Sequence, residues 1–314
     1  MILITGASGF LGRNLTEKLI ALGLDIRLAV RHSRIEEYQV DQVAIGNISG
    51  LTDFSKALEG VQVVIHLAGL AHVLGDHKAI DVDQFEEVNT SGTRALARQA
   101  SVAGVKRFIF ISSIGVNGQN SAKPFTEFSQ EKPQDIYSAS KYEAEKALKS
   151  ESGKHCMDYV IIRPPLIYGP SAPGNFSRLM KLVSTGLPLP FASIRNKRSL
   201  IYVKNLVDFI TCCLCDDKAS NQIFLVCDGN DLSLSELVCF LRNFRGLRRN
   251  LFSVPVFVFR IAGIVFNKSS VINKLIGNLQ VDNSKVTSQM CWIPPYTVEQ
   301  GIRDSVVHWD EGRE

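Results

Sequence analysis

The amino-terminal stretch MILITGASGFLGRNLTEKLI (residues 1–20) decides the fold. Ile2, Leu3 and Ile4 read as a short buried strand, whereas Leu11, Leu15, Leu19 and Ile20 recur at helical spacing. Gly6, Gly9 and Gly12 therefore fall on a strand-to-helix turn. At such a turn glycine permits positive φ and lets a ligand approach the backbone. The helix start offers unpaired N–H groups and the positive end of its dipole to an anion. The pyrophosphate of a dinucleotide suits that arrangement.

Working outward, apolar runs alternate with helical segments: DIRLAV (25–30), QVAIG (42–46), VQVVIHLAG (61–69), KRFIFISS (106–113) and DYVIIRP (158–164). This alternation predicts an α/β fold, a Rossmann-type doubly wound parallel sheet with helices on both faces. Ligands of such sheets lie beyond the carboxyl ends of the strands, at the topological switch point. The strand ends at 6–12, 66–69 and 112–118 therefore matter most. After Arg163-Pro164-Pro165, the Pro- and Gly-rich segment LIYGPSAPGNFSRLMKLVSTGLPLP (166–190) reads as a loop, a helix and a loop leaving the sheet. SLIYV (199–203), NLVDFITCCLC (205–215) and QIFLVC (222–227) read as a strand, a helix and a strand that complete it. The expected division is a dinucleotide-binding domain over 1–168, completed by about 199–228, and a smaller, mostly helical C-terminal substrate domain formed by 169–198 and 229–314.

With 314 residues, 45% of them hydrophobic, the chain is long enough for a large core. Its 35 basic and 31 acidic residues leave a net charge of +4, which argues against a nucleic-acid binder working through a strongly basic surface. The first strand starts at residue 2 with no charged segment before it, unlike a signal peptide, so a cytoplasmic protein is expected. The most apolar stretch, VPVFVFRIAGIVF (254–266), is too short to span a bilayer and carries Arg260. It reads as a buried or lid helix, with a membrane-surface or partner contact as the lesser alternative. The seven cysteines show no paired metal-ligand spacing, and Cys212, Cys213 and Cys215 read as apolar helix residues. The six histidines include no pair spaced four apart, and no metal is expected.

Tyr137 and Lys141 in YSASK lie four apart, on one face of a helix that begins after Pro133. A phenol titrates near pH ~10, and a close ammonium lowers that value by favouring the phenolate. Such a tyrosine trades a proton with a hydroxyl or carbonyl at neutral pH. Ser113 ends the strand KRFIFISS, where its hydroxyl reaches the same substrate oxygen. Proton transfer at an oxygen, coupled to hydride transfer at the adjacent carbon, is the chemistry of a nicotinamide enzyme.

In order along the chain, TGASGFLG, HLAG, VNTSGT, FISSIGVNG, YSASK and RPPLIYGP resemble the motifs of extended short-chain dehydrogenases/reductases, the NAD-dependent epimerase/dehydratase family of nucleotide sugars. The terminal CWIPPYTVEQGIRDSV is similar to that family's last helix. The resemblance implies a catalytic triad of Ser113, Tyr137 and Lys141. It implies cofactor contacts from Gly6, Gly9, Phe10, Leu11, Gly12, Arg31, Asn47, Ile48, Leu67, Ala68, Gly69, Asn89, Tyr137, Lys141 and Pro164. Substrate contacts follow from Ser113, from Asn175 and from Arg198, whose forked donors suit a diphosphate. It also implies a UDP-sugar substrate and a homodimer built through helices near 81–103 and 137–150. The loop LAHVLGDHKAID (70–81) is expected to border the sugar, with His72 and His77 read equally as substrate contacts or as ordinary surface histidines.

Three departures narrow the reaction. Where a dehydratase of the family carries an Asp-Glu pair, this chain has Ile114 and Gly115, so dehydration is not expected. At the end of the second strand, Val30 replaces the acid that would hold the ribose hydroxyls of NAD, and Arg31, His32 and Arg34 follow. That pattern favours NADP(H), with NAD(H) as the alternative. Asn47 stands where the family usually has an aspartate near the adenine. The run from 162 to 208 resembles bacterial 4-reductases of UDP-4-keto-6-deoxy-N-acetylhexosamines. NADPH-dependent reduction at C4, for surface polysaccharide, is therefore the first expectation. A UDP-hexose 4-epimerase with tightly bound NAD is the second, and a non-catalytic NADP sensor the remote third.

Overall fold

The structure, a computed structural model, describes residues 1–32, 35–71 and 82–311. Nine strands are described: β1 (Ile2–Thr5), β2 (Ile26–Val30), β3 (Asp41–Ala44), β4 (Val63–His66), β5 (Arg107–Ile111), β6 (Asp158–Arg163), β7 (Leu166–Tyr168), β8 (Leu200–Tyr202) and β9 (Gln222–Leu225). Seven form a sheet in the order β3-β2-β1-β4-β5-β6-β9, every pair parallel. The order reverses between β1 and β4, so the crevice opens beyond Thr5 and His66.

Alternation along the strands feeds two cores. Ile4, Leu28, Ile65, Ile109, Val160 and Ile162 face one side, with Leu15 and Leu19 of the helix Phe10–Ala21 and with Leu206, Phe209 and Ile210 of the helix Val203–Cys212. Leu3, Val64, Phe108, Phe110 and Ile161 face the other, against Leu96 and Ala100 of Gly92–Val102 and Ala144 and Leu148 of Ile136–Ser152. Each fully buried Leu or Ile contributes roughly 1.5–3 kcal/mol. The doubly covered sheet is thus the rigid platform from which the loops of the crevice project.

Three expectations are corrected. SLIYV does not enter the large sheet: β8 pairs with β7 in a separate two-stranded parallel sheet, and only β9 extends the main one. Pro164 and Pro165 lack the N–H groups that would continue β6, so the chain leaves the sheet and β7 finds its own partner. The stretch 254–266 is not a buried helix. It forms Val256–Val265, in which only Gly263 is buried. Of the cysteines at 212, 213 and 215, only Cys213 is buried, and Cys215 lies beyond the helix.

A prediction follows from the first turn. A Cβ at Gly12 would lie 2.1 Å from the Gly6 carbonyl oxygen, so Gly12→Ala must displace backbone. A loss of about 1–3 kcal/mol is expected in thermal unfolding. Gly153→Ala, whose nearest neighbour would be 3.7 Å away, should change little.

Candidate active site

After Thr5 the chain turns at Gly6, with φ of +75°. A Cβ there would lie 2.7 Å from the Ala68 amide nitrogen, so the turn packs backbone to backbone against the end of β4. Gly9 caps the helix Phe10–Ala21 without a side chain, and among the described residues the amides of Phe10, Leu11 and Gly12 find no hydrogen-bond partner. Three free donors at the positive end of a 12-residue helix fit the diphosphate of a dinucleotide. Beyond β2, Val30 is buried, while Arg31 is exposed and has no side-chain partner among the described residues. Arg34 lies outside the described residues, as do His72 and His77. Asn47 is exposed, its carbonyl accepting from the Thr52 hydroxyl, and Ile48 packs against Gly92.

Asn89 ties the crevice floor together. It is buried in a π-helical turn, Glu86–Ser91, a distortion that occurs frequently at functional sites. Its Oδ1 accepts from the Leu70 amide at 2.8 Å, and its Nδ2 donates to the Leu70 carbonyl at 3.0 Å and to Ser140 Oγ at 2.9 Å. The loop after β4, with Leu67, Ala68 and Gly69, is thereby clamped to the helix Ile136–Ser152. A Cβ on Gly69 would lie 3.0 Å from Asn89 Oδ1 and 3.2 Å from Lys141 Nζ, so a side chain there would crowd both groups. Beneath it, His66 is fully buried between Thr5 Oγ1 (2.6 Å) and Thr93 Oγ1 (2.9 Å). Burial, then the charge of Lys141, pushes its imidazole down to about 3, so it is neutral at physiological pH.

Asp135 caps the helix Ile136–Ser152, its side chain accepting from the Ser138 amide at 2.8 Å. Tyr137 follows in the first turn, beside the Ser113 side chain, which acts to lower its phenol. Ser113, at the end of β5, also accepts from the Gly115 amide at 3.1 Å. Lys141 lies one turn on, its Nζ donating to the Ile111 carbonyl at 3.0 Å and lying 4.6 Å over the Phe110 ring. Serine, tyrosine and lysine thus converge at the end of β5.

The electrostatics reverse one expectation. Lys141 does not lower the phenol: burial, then Asp135, pushes Tyr137 up to about 12, against the Ser113 hydrogen bond. The ammonium is held instead on the Ile111 carbonyl, and burial pulls its own value down to about 8, opposed by Glu145. Without a ligand, the site therefore holds its proton on the phenol.

Two residues behind the site went unread in the sequence. Arg163, at the end of β6, and Glu145 are both fully buried and meet at 2.6 and 2.9 Å. Ser112 Oγ donates to Glu145 at 2.5 Å, and Arg163 also reaches Asn117 and Glu131. The pair fastens the helix to β5 and β6. Two signals were available: Tyr137, Lys141 and Glu145 recur at four-residue spacing, and a charge, Arg163, follows the apolar run VII (160–162).

Of the remaining expected contacts, Pro164 is buried, and its carbonyl receives the Ile114 amide. A Cβ on Gly115 would press on Ser138 Oγ at 2.3 Å, which leaves little room for a carboxylate there. Arg198 is half-buried, its Nη1 donating to the carbonyls of Lys274 (2.7 Å) and Gly277 (3.1 Å). Lys274 in turn pairs with Asp135 at 3.2 Å, which links Arg198 to the cap of the Tyr137 helix. Arg195, Asn196 and Lys197 line an open polar cavity of 750 Å³ with Asp231 and Glu236. Asn175 is exposed at the start of Asn175–Ser184, and no contact joins it to Tyr137. Among the described residues no cluster suited to a metal occurs.

A nucleotide turn beside a convergent serine, tyrosine and lysine marks an enzyme of the short-chain dehydrogenase/reductase class. Residues 2–227 match the NAD dependent epimerase/dehydratase family, and the chain belongs to that family. A protein named UDP-glucose 4-epimerase from Vibrio cholerae is 42% identical over 97% of this chain and 94% of its own length. N-acetyl-alpha-D-glucosaminyl-diphospho-ditrans,octacis-undecaprenol 4-epimerase from Escherichia coli O157:H7 is 28% identical over 96% of this chain and 92% of its own. The structure of UDP-glucose 4-epimerase from Thermotoga maritima with UDP-glucose shares the fold, with a TM-score of 0.79 at 20% identity over 100% of this chain and 99% of that one.

The buried amine generates a prediction. Because the folded value of Lys141 is depressed, its charge destabilises the native state below about pH 8, and that cost is relieved as pH rises from 8 towards its unfolded value. Lys141→Met should therefore raise the relative stability of the dinucleotide-free protein near pH 7, by at most about 3 kcal/mol. The gain should shrink near pH ~10, as read by denaturant unfolding at both values.

Proposed function

We propose that the protein interconverts the C4 epimers of a UDP-linked hexose by oxidation and re-reduction at C4. The observation that carries this reading is the Tyr137 phenol set beside the Ser113 side chain, with Ile114 and Gly115 in place of further acids. One phenol working on one oxygen suits a redox change at a single carbon and gives no second acid for loss of water. The names of both relatives support the choice, since each specifies 4-epimerisation of a hexose carried on a diphosphate.

The turn at Gly6, Gly9 and Gly12, with the amides of Phe10 and Leu11, would hold the dinucleotide diphosphate. Leu67, Ala68, Gly69, Asn89 and Pro164 would line its nicotinamide side. Asn47 and Ile48 would meet the adenine side. When bound, the nicotinamide supplies a hydride acceptor and donor at C4. Tyr137 takes the proton of the C4 hydroxyl at its Oη and returns it, while Ser113 holds that oxygen in line. Binding places substrate and ribose hydroxyls near Lys141, whose retained charge then favours the phenolate it does not reach in the free protein. Asn175 and Arg198 would hold the nucleotide diphosphate, Arg198 through the donors that the backbone carbonyls leave free.

A second reading, NADPH-dependent reduction of a 4-keto sugar, is favoured by a specific observation: Arg31 stands free after Val30, where it suits a 2′-phosphate. The two readings differ in whether the cofactor is consumed. Incubated with UDP-glucose or UDP-N-acetylglucosamine and no added reductant, the protein should form the C4 epimer, and Tyr137→Phe should lower the rate by a factor of about 100 or more while dinucleotide binding survives. Stoichiometric loss of nicotinamide absorbance with a UDP-4-keto-6-deoxy sugar, and no epimer from either UDP-hexose, would establish the reductase instead. Absence of both activities would favour the sensor.

A further inference from the structure

The helix Val256–Val265 and its neighbour Ser269–Ile276 form an apolar surface that no described residue covers. Phe257, Val258, Ile261, Ile264 and Val265 lie on one stripe of the first helix. Their exposures reach 72% at Ile264 and 70% at Val265, and Phe266 (71%) and Val271 (60%) continue the surface into the second helix. The opposite side of the first helix is anchored, with Phe259 on a buried core and Gly263 against Ile272. The apolar side is therefore presented to solvent by a fixed helix.

Charge identifies what covers it. Between Glu236 and Asp282 the chain carries Arg242, Arg245, Arg248, Arg249, Arg260, Lys268 and Lys274 and no acidic residue. This stretch exceeds the whole-chain charge of +4, so the remainder of the protein is net acidic. Arg248, Arg249, Arg260 and Lys268 are exposed, and none makes an ion pair among the described residues. Arg260 flanks the apolar stripe one position from Ile261, where its long stem can follow the apolar surface while its charge stays at the rim. A second copy meeting this face about a two-fold axis would set these cations against each other. An anionic bilayer instead meets both properties at once, taking the apolar stripe below its headgroups and the cations at its surface.

We propose that this face docks the protein on membranes containing anionic phospholipid. Docking would hold the crevice close to the bilayer, because the second helix is tied to the candidate site by the Lys274–Asp135 pair and by Arg198 on the Lys274 and Gly277 carbonyls. The contact is independent of the chemistry at C4, and it stands or falls without reference to turnover.

The experiment is co-sedimentation of the full chain with vesicles of phosphatidylcholine alone or of phosphatidylcholine with phosphatidylglycerol. Binding is expected only with phosphatidylglycerol, and it should weaken in high salt. Ile264→Asp with Phe266→Asp should reduce it about tenfold or more, and Arg260→Glu with Lys268→Glu should do the same without touching the apolar stripe. Both variants should unfold at the wild-type temperature, their side chains being exposed. No preference for phosphatidylglycerol, or binding retained by both variants, would overturn the proposal. So would a concentration-dependent dimer of the wild type that the aspartate variant abolishes, since the face would then belong to a second copy.

Discussion

Arg163 and Glu145 meet with neither side chain exposed, and the position of the helix that carries Tyr137 and Lys141 depends on that meeting. Two buried charges are tolerable only when every donor and acceptor is met. Here Ser112, Asn117 and Glu131 complete the set. The pair joins the ends of β5 and β6 to the middle of Ile136–Ser152, two turns beyond Tyr137. Asn89 makes the corresponding link on the other side, from the loop after β4 to Ser140. Ser113 and Tyr137 are thus brought together by buried residues set behind them.

The same economy of contact governs the cofactor side. Gly6 and Gly12 are glycines because backbone occupies the space of a side chain, and beside them the helix start leaves amides without partners among the described residues. Lys141 is packed over Phe110 and against Gly69 at a cost in proton affinity. The free protein therefore carries an ammonium that a ligand's hydroxyls would solvate, beside a phenol that holds its proton firmly.

Much of this was legible in the sequence, for physical reasons. Parallel strands buried on both faces must be continuously apolar, so β1, β2, β4, β5 and β6 declared themselves, and the turn glycines and YSASK have few alternative readings. Other features depended on partners distant in the chain. SLIYV reads as a strand, but its neighbour is fixed by the prolines at 164 and 165. The charge on Lys141 read as help for the phenol, because spacing on a helix does not reveal that the Ile111 carbonyl takes the amine. The run at 254–266 reads equally as a buried or a lid helix, and only packing shows that its apolar stripe faces outward. Arg163 was hidden because a charge at a strand end is ordinarily solvated.

In the proposed 4-epimerisation, hydride leaves C4 with the help of Tyr137 and the same hydride returns. The most direct measurement is turnover of UDP-hexose carrying deuterium at C4, with both C4 epimers analysed by mass and by proton NMR. The account predicts that the product epimer retains deuterium at C4, with no net change in dinucleotide oxidation state. Epimer formed with solvent hydrogen at C4, or no epimer alongside net consumption of NADPH on a 4-keto sugar, would contradict it.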